Sequence, residues 1–176
     1  MATTVTQPER RGVLGRLLSN QVLAGASAIL LACTIIAVIK GQAEWARVPV
    51  LVWVHLGSIV LATGLTPVML LRRKGDGRHR KTGYAWVGAM LLTAITSLFF
   101  NARSPAGMGV FTGDFSVIHI LSVIVLLQVP RIVIKARRHD RSGHERAVRT
   151  IVIGALLIAG FFTFPFNRML GSWLFA

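Results

Sequence analysis

Five long apolar stretches constrain this chain more than any other feature of its sequence. A helix needs about 20 apolar residues to cross the hydrocarbon core of a bilayer. Inside lipid the backbone must satisfy its own hydrogen bonds, so apolar stretches of this length are expected to be helical. We therefore predict an all-α polytopic membrane protein with five transmembrane helices. The predicted spans cover residues 21–39, 48–71, 83–100, 115–134 and 150–166.

The charged residues lie mainly between these stretches and predict the orientation of the chain. Of 176 residues, 20 are Lys or Arg and 6 are Asp or Glu, which gives a formal net charge of +14. Sixteen basic residues fall in the N-terminal tail or around the links after the second and fourth spans, and four fall on the opposite side. The positive-inside rule then places the basic tail, residues 1–20, in the cytoplasm and the C-terminus outside. We predict the inner (plasma) membrane as the location.

A basic excess of this size is compatible with nucleic acid or with anionic lipid as the partner. The blocks of positive charge alternate with apolar spans, so we expect them to contact anionic headgroups at the cytoplasmic face, with no nucleic-acid partner. Hydrophobic residues make up 53% of the chain and charged residues 15%, which is unlike a soluble domain. The single cysteine, Cys33, excludes an internal disulfide and any site made of four cysteines.

Spans two and three share an ordered set of landmarks with spans four and five, 63 to 66 residues later. The first set is His55, Ser58, Pro67, His79, Gly88 and Asn101, and the second is His119, Ser122, Pro130, His144, Gly154 and Asn167. We predict two tandem helical hairpins, residues 48–103 and 115–168, related by a pseudo-twofold axis along the membrane normal. They would form a four-helix core within a single membrane domain, residues 21–176. The first span has no counterpart and is expected to pack peripherally.

Two repeat-related histidines, His55 and His119, lie near the outer ends of their spans. An ionisable side chain inside a membrane span is costly and marks a functional site by default. Two neutral imidazoles that face each other across a four-helix core suit the two axial positions of a b-type haem. Arg103 and Arg168 close the two copies at the same outer level, and we expect them to pair with the haem propionates. The predicted cofactor-binding residues also include two asparagines, Asn101 and Asn167.

Other roles remain open for these histidines. His55 and His119 could instead bond to Ser, Asn or backbone partners and bind no ligand. Copper or zinc could use two imidazoles, but a two-histidine site lacks the usual third and fourth protein ligands. Asp114, close to the start of the fourth span, could supply one of them. His79 and His144 form a second, less favoured metal-binding pair at the cytoplasmic mouth, where they could equally be helix-start residues among lipid headgroups. We do not expect a second haem.

The run from His55 to Asn167 resembles a group of bacterial predicted membrane proteins, domain-of-unknown-function family 2306. The resemblance rests on a histidine early in a span, on the basic loop that ends in His79-Arg80 with Gly83 following, and on His144 in a later basic loop. The placement of the histidines is also similar to that in transmembrane two-haem b-type cytochromes. That second, weaker likeness implies an electron-transfer role.

Two functions from different classes follow from these features. The first is an integral membrane b-type haem protein that transfers electrons between quinol and an outer acceptor. The second is a non-catalytic accessory or scaffold subunit that packs against other membrane subunits of a larger complex. A small transporter is disfavoured because the spans hold few polar residues.

Overall fold

The computed structural model describes residues 19–100 and 117–176, and every regular element in this part of the chain is helical. The predicted all-α class is confirmed for these residues. The α-helices are α1 (Asn20–Lys40), α2 (Val50–Leu71), α3 (Gly77–Ser97), α4 (Val117–Arg137), α5 (Arg141–Ile151), α6 (Ala159–Phe161) and α7 (Met169–Phe175). A 3-10 helix, Gly41–Arg47, follows α1, and a π-helix, Val152–Ile158, joins α5 to α6.

Short polar side chains fix where three of these helices begin. Ser19, Asp76 and Asp140 stand at the N-caps of α1, α3 and α5, and each side chain accepts a hydrogen bond from the backbone N–H three residues later. Such a cap satisfies one of the free N–H groups of the first turn and stabilises a helix by roughly 0.5–2 kcal/mol. The two caps before α3 and α5 therefore set the ends of the basic links.

Three helical stretches in the described residues are long and apolar enough to cross a membrane: Asn20–Arg47, Val50–Leu71 and Ile118–Arg137. They correspond to the first, second and fourth predicted spans. The third predicted span, residues 83–100, begins inside α3 and extends three residues past its end, and α3 has three basic residues in its first turns. The fifth, residues 150–166, covers the end of α5, the π-helix, α6 and the turn that follows, and α5 also carries three arginines. The apolar part of these last two helices is therefore shorter than the helix itself.

The helices are arranged in a ring. Each of α1 to α4 packs against the next helix along the chain, and the π-helix that follows α5 returns to pack on α1. Leu23 and Ala24 of α1 belong to the same buried core as Trp86 of α3. The prediction that the first span packs peripherally is therefore wrong. Since α1 has no partner in the repeat, the landmarks could not reveal that it closes the ring between α2 and the π-helix.

The π-helix gives the last long helix a wider turn. The backbone N–H of Ala159 bonds to the oxygen of Gly154, five residues earlier, where an α-helix would use the residue four earlier. Segments of this kind are rare in proteins. Those that occur often lie at functional sites. Ala155, within this segment, forms part of the wall of the cavity described next.

Candidate functional site

A cavity of about 480 Å³ lies between the helices of the ring. Its wall is built by α1, α2, α3, α4, the π-helix, α6, the turn after α6 and the start of α7. The wall is mainly aliphatic, with serine and threonine hydroxyls, the imidazole of His55 and the guanidinium-bearing Arg168 as its polar groups. Cofactor and ligand sites in proteins are usually apolar cavities of about 300–1,000 Å³ with a few polar groups. The cavity thus has the size and lining of a ligand site.

The ring of His55 is oriented by two groups on α3. Its Nδ1 atom lies 3.1 Å from the backbone oxygen of Thr93 and 3.0 Å from the hydroxyl of Thr96. A carbonyl oxygen only accepts, so the neutral ring donates its proton from Nδ1 and keeps the lone pair on Nε2. Histidines that ligate a metal usually donate their other ring N–H to a carbonyl or carboxylate in this way. This arrangement leaves Nε2 of His55 with a lone pair that could bind a metal.

Further contacts hold the same imidazole at the interface of α2 and α3. The ring of Phe100 packs edge-on against it, with 5.0 Å between the ring centroids. The hydroxyl of Ser58 lies 2.8 Å from the backbone oxygen of His55 and 2.8 Å from the hydroxyl of Thr93. The position of His55 is thus defined by both helices.

His119 occupies a different environment from His55. It lies on α4 and is only 2% exposed. Ser122, almost one turn later, lines the cavity, and its hydroxyl oxygen lies 2.6 Å from that of Ser97. Among the described residues, the cavity wall includes His55 but not His119. The pairing of the two histidines as axial ligands stays a prediction.

Arg168 shares the cavity with His55. The two residues before it, Phe166 and Asn167, have φ angles of 63° and 58°, in the left-handed region that side chains other than glycine seldom adopt. This turn reverses the chain so that Arg168 becomes the N-cap of α7. The structure therefore brings two predicted site residues together and gives Asn167 a place in the turn. Two further predicted residues lie outside the described part of the chain: Asn101 and Arg103.

His79 and His144, the second predicted histidine pair, lie beside the basic links. His79 is in the first turn of α3 and His144 in the first turn of α5. Burial, followed by the positive charge of a protonated His144, lowers the pKa of His79, and the opposing effect of Asp76 is smaller. The Nδ1 atom of His79 is buried without a hydrogen-bond partner among the described residues. The Nδ1 atom of His144 lies 3.0 Å from the backbone oxygen of Ile132.

A salt bridge joins the link between α2 and α3 to the start of α5. The ammonium nitrogen of Lys74 lies 2.6 Å from a carboxylate oxygen of Glu145. The hydrogen bond from Lys74 is the main cause that lowers the pKa of Glu145. The link between α2 and α3 and the start of α5 therefore lie at the same end of the ring.

The described residues contain no cluster of three or more His, Cys, Asp or Glu side chains that could hold a metal ion. Among the described residues, a bare metal ion at His55 would therefore find fewer protein ligands than zinc sites usually have. A haem brings four equatorial nitrogens of its own and needs only axial ligands from the protein. Of the two kinds of metal centre, a haem would therefore require fewer ligands from the described residues.

Residues 50–173 match the family described as predicted membrane protein (DUF2306). The chain belongs to this family. Membership confirms the resemblance found in the sequence and agrees with the candidate membrane spans. No curated protein and no solved structure matches the chain. None of these comparisons supports the likeness to two-haem b-type cytochromes.

The sequence predicted Ser, Asn or backbone partners for His55 as an alternative to ligand binding, and its Nδ1 atom does lie beside a backbone oxygen, that of Thr93. The threonine hydroxyl groups near the ring were not predicted. Thr93, Thr96 and Ser97 lie on one face of α3, and Ser58 faces them from α2. Their signal was present in the sequence as hydroxyl residues three and four apart in an otherwise apolar span. Such residues are also common in ordinary membrane-helix packing, so the spacing alone does not distinguish a site from packing.

Proposed function

We propose that this protein is an integral membrane b-type haem protein in which Nε2 of His55 would bind the haem iron. The observation that carries the proposal is the hydrogen bond from Nδ1 of His55 to the oxygen of Thr93, at 3.1 Å, on the wall of a ligand-sized cavity. Bound haem b supplies one-electron redox chemistry, and the role we propose is electron transfer between quinol and an outer acceptor.

The residues around the cavity give the proposal two further supports. Arg168 offers a cation for a propionate group, and each such charge-assisted bond contributes roughly 1.5–3 kcal/mol. The aliphatic wall excludes water from the rest of a macrocycle. We propose His119 as the second axial ligand because it is a buried histidine on the helix that also contributes Ser122 to the wall.

For the topology, we propose five spans in the plasma membrane, with the basic tail of residues 1–20 in the cytoplasm and the C-terminus outside. The spans after the first would form two tandem hairpins, residues 48–103 and 115–168. The salt bridge between Lys74 and Glu145 supports this arrangement, because it requires the two basic links to lie on the same side. The positive-inside rule then gives that side as the cytoplasm.

The test is the visible spectrum of the protein purified from haem-replete cells. We expect a Soret band in the wild type and its loss in His55→Ala. His139→Ala changes a histidine in the exposed link before α5 and is the matched control, expected to keep the band. His119→Ala should change a six-coordinate spectrum into a five-coordinate one. A colourless wild type, or an unchanged spectrum in the His55→Ala, His119→Ala double variant, would contradict the proposal.

A further inference from the structure

The last two long helices separate on one side of the cavity. α4 packs closely against α5, but the π-helix that continues α5 packs instead on α1 and α2. Within the described residues, the π-helix and α4 share no comparable packing. The outer part of α4 and the π-helix therefore form two edges of a seam, and the cavity lies behind it.

Side chains from both edges of this seam line the cavity. α4 contributes Ile118, Leu121, Ser122 and Val125, and the π-helix and α6 contribute Ala155 and Ala159. Ile118 is 41% exposed although it also lines the cavity, so it lies where the cavity meets the surroundings. None of these six side chains is charged. An entrance used by a water-soluble anion or cation is expected to be lined by charge that attracts it.

Small side chains line the edge of the seam that the last helix forms. Ala155 and Ala159 each add only a methyl group to the cavity wall, so they fill little of the space beside this edge. On another face, Gly160 packs so closely on Leu30 of α1 that an added Cβ would lie 2.7 Å from a leucine methyl carbon. The close contact with α1 thus draws the last helix away from α4.

We infer that the cavity opens sideways into the bilayer between α4 and the π-helix, and that it takes a membrane-soluble ligand with an apolar body from the lipid phase. The seam is apolar, lies beside a helix apolar enough to span the membrane, and is continuous with the cavity. The route does not depend on which ligand is bound. The ligand class rests on the proposed function, since the apolar macrocycle of haem is of this kind.

The route can be tested with nitroxide labels on single cysteines in a Cys33→Ala background. Leu121→Cys places a label on the seam. Val123→Cys, 46% exposed on the same helix, and Arg73→Cys, in an exposed basic link, are the lipid and water references. In vesicles, we expect the Leu121→Cys label to collide with oxygen and with doxyl-labelled lipid as the Val123→Cys label does, and only weakly with a water-soluble nickel chelate.

Two outcomes of this measurement would overturn the inference. Strong collision of the Leu121→Cys label with the nickel chelate would show an aqueous mouth, and weak collision with every reagent would show a closed wall. If Leu121→Cys does not fold, Ile118→Cys places the label on an exposed residue of the same seam and allows the same comparison. Because no haem is needed, the result is independent of the proposed function.

A loading experiment separates an entrance from a groove filled by a structural phospholipid. Ala155→Phe should narrow the seam and slow haem uptake from vesicles by about tenfold, equivalent to about 1.4 kcal/mol of added barrier. Ile158→Phe adds the same ring at a half-exposed position one residue before α6 that does not line the cavity, and should load at the wild-type rate. Collision with doxyl lipid but equal loading by both variants would mean a structural lipid and would refute the entrance. A wild type that takes up no haem would refute the proposed function and leave the label result to decide the route.

Discussion

The indole nitrogen of Trp86 donates a hydrogen bond of 2.9 Å to the hydroxyl of Thr66, and both side chains are completely buried. This contact joins α2 to α3. The same hydroxyl lies 2.8 Å from the backbone oxygen of Ala62. The threonine thus satisfies a large aromatic side chain that has no access to water.

Replacing Thr66 with valine should destabilise the protein, because the Trp86 N–H would lose its acceptor. A buried donor without a partner costs about 1–3 kcal/mol, and measured values in membrane proteins lie towards the lower end. We expect a loss of about 1 kcal/mol in the free energy of unfolding, measured by denaturation in mild detergent. Thr66→Ser keeps the hydroxyl and should lose less. Equal stability of the two variants would show that the hydrogen bond contributes little.

Removing the hydroxyl of Thr96 should weaken the orientation of His55 without removing the imidazole. Thr96→Val keeps the shape of the side chain and leaves the bond to the Thr93 oxygen. Partners that orient a metal ligand commonly contribute about 10- to 100-fold to metal affinity, so haem retention on dilution should fall by about tenfold. The control is Thr150→Val, an exposed threonine of α5. Unchanged retention in Thr96→Val would mean that the carbonyl of Thr93 alone orients the ring.

The stability of the protein should fall as the pH drops below about 6.5, the ordinary pKa of histidine. Burial first, and then His144, lowers the pKa of His79 in the folded state. In the window between the two pKa values the unfolded chain binds more protons than the folded chain, so the free energy of unfolding rises with pH there. Below the folded pKa this dependence ends.

The check on this pH dependence is thermal unfolding in detergent across the same range. His79→Gln removes the titrating group and should give a flatter profile, whereas the exposed-link variant His139→Gln should keep the wild-type slope. The carboxylates of Asp76 and Glu145 also have lowered pKa values, but they lose their contribution in a more acidic range. Identical slopes for the wild type and His79→Gln would contradict the prediction.

Cysteine labelling should reveal the orientation in the membrane. In a Cys33→Ala background, Arg73→Cys lies in the basic link after α2 and Glu44→Cys in the 3-10 helix after α1, and both positions are exposed. An impermeant maleimide applied to intact cells should label Glu44→Cys directly and Arg73→Cys only after permeabilisation. The opposite pattern would reverse the proposed topology and the sides of both histidine pairs.

The sequence predicted the helical class and the family because both depend on patterns along the chain and not on which helices pack together. Apolar length indicates helices in a bilayer, and the spacing of His55, His79 and His144 indicates the family. Two of the predicted site residues, His55 and Arg168, line one cavity, and their binding of a cofactor stays a prediction. The hydroxyls around His55 and the closure of the ring by α1 depend on which helix faces pack together. Apolar periodicity is weak when lipid surrounds the helices, so the sequence gives little indication of which helix faces pack together.

The π-helix has a consequence for the direction in which the residues after it face. An α-helix turns by about 100° per residue, so one residue added to its backbone rotates everything that follows by that angle. Deleting one residue from Val152–Ile158 would restore a regular helix and turn Ala159, Gly160 and the approach to Arg168 away from their present neighbours. Most of the side chains would be retained, yet the arginine would no longer share a cavity with His55. The spacing of the chain, as well as its composition, therefore determines whether the two residues can act on one ligand.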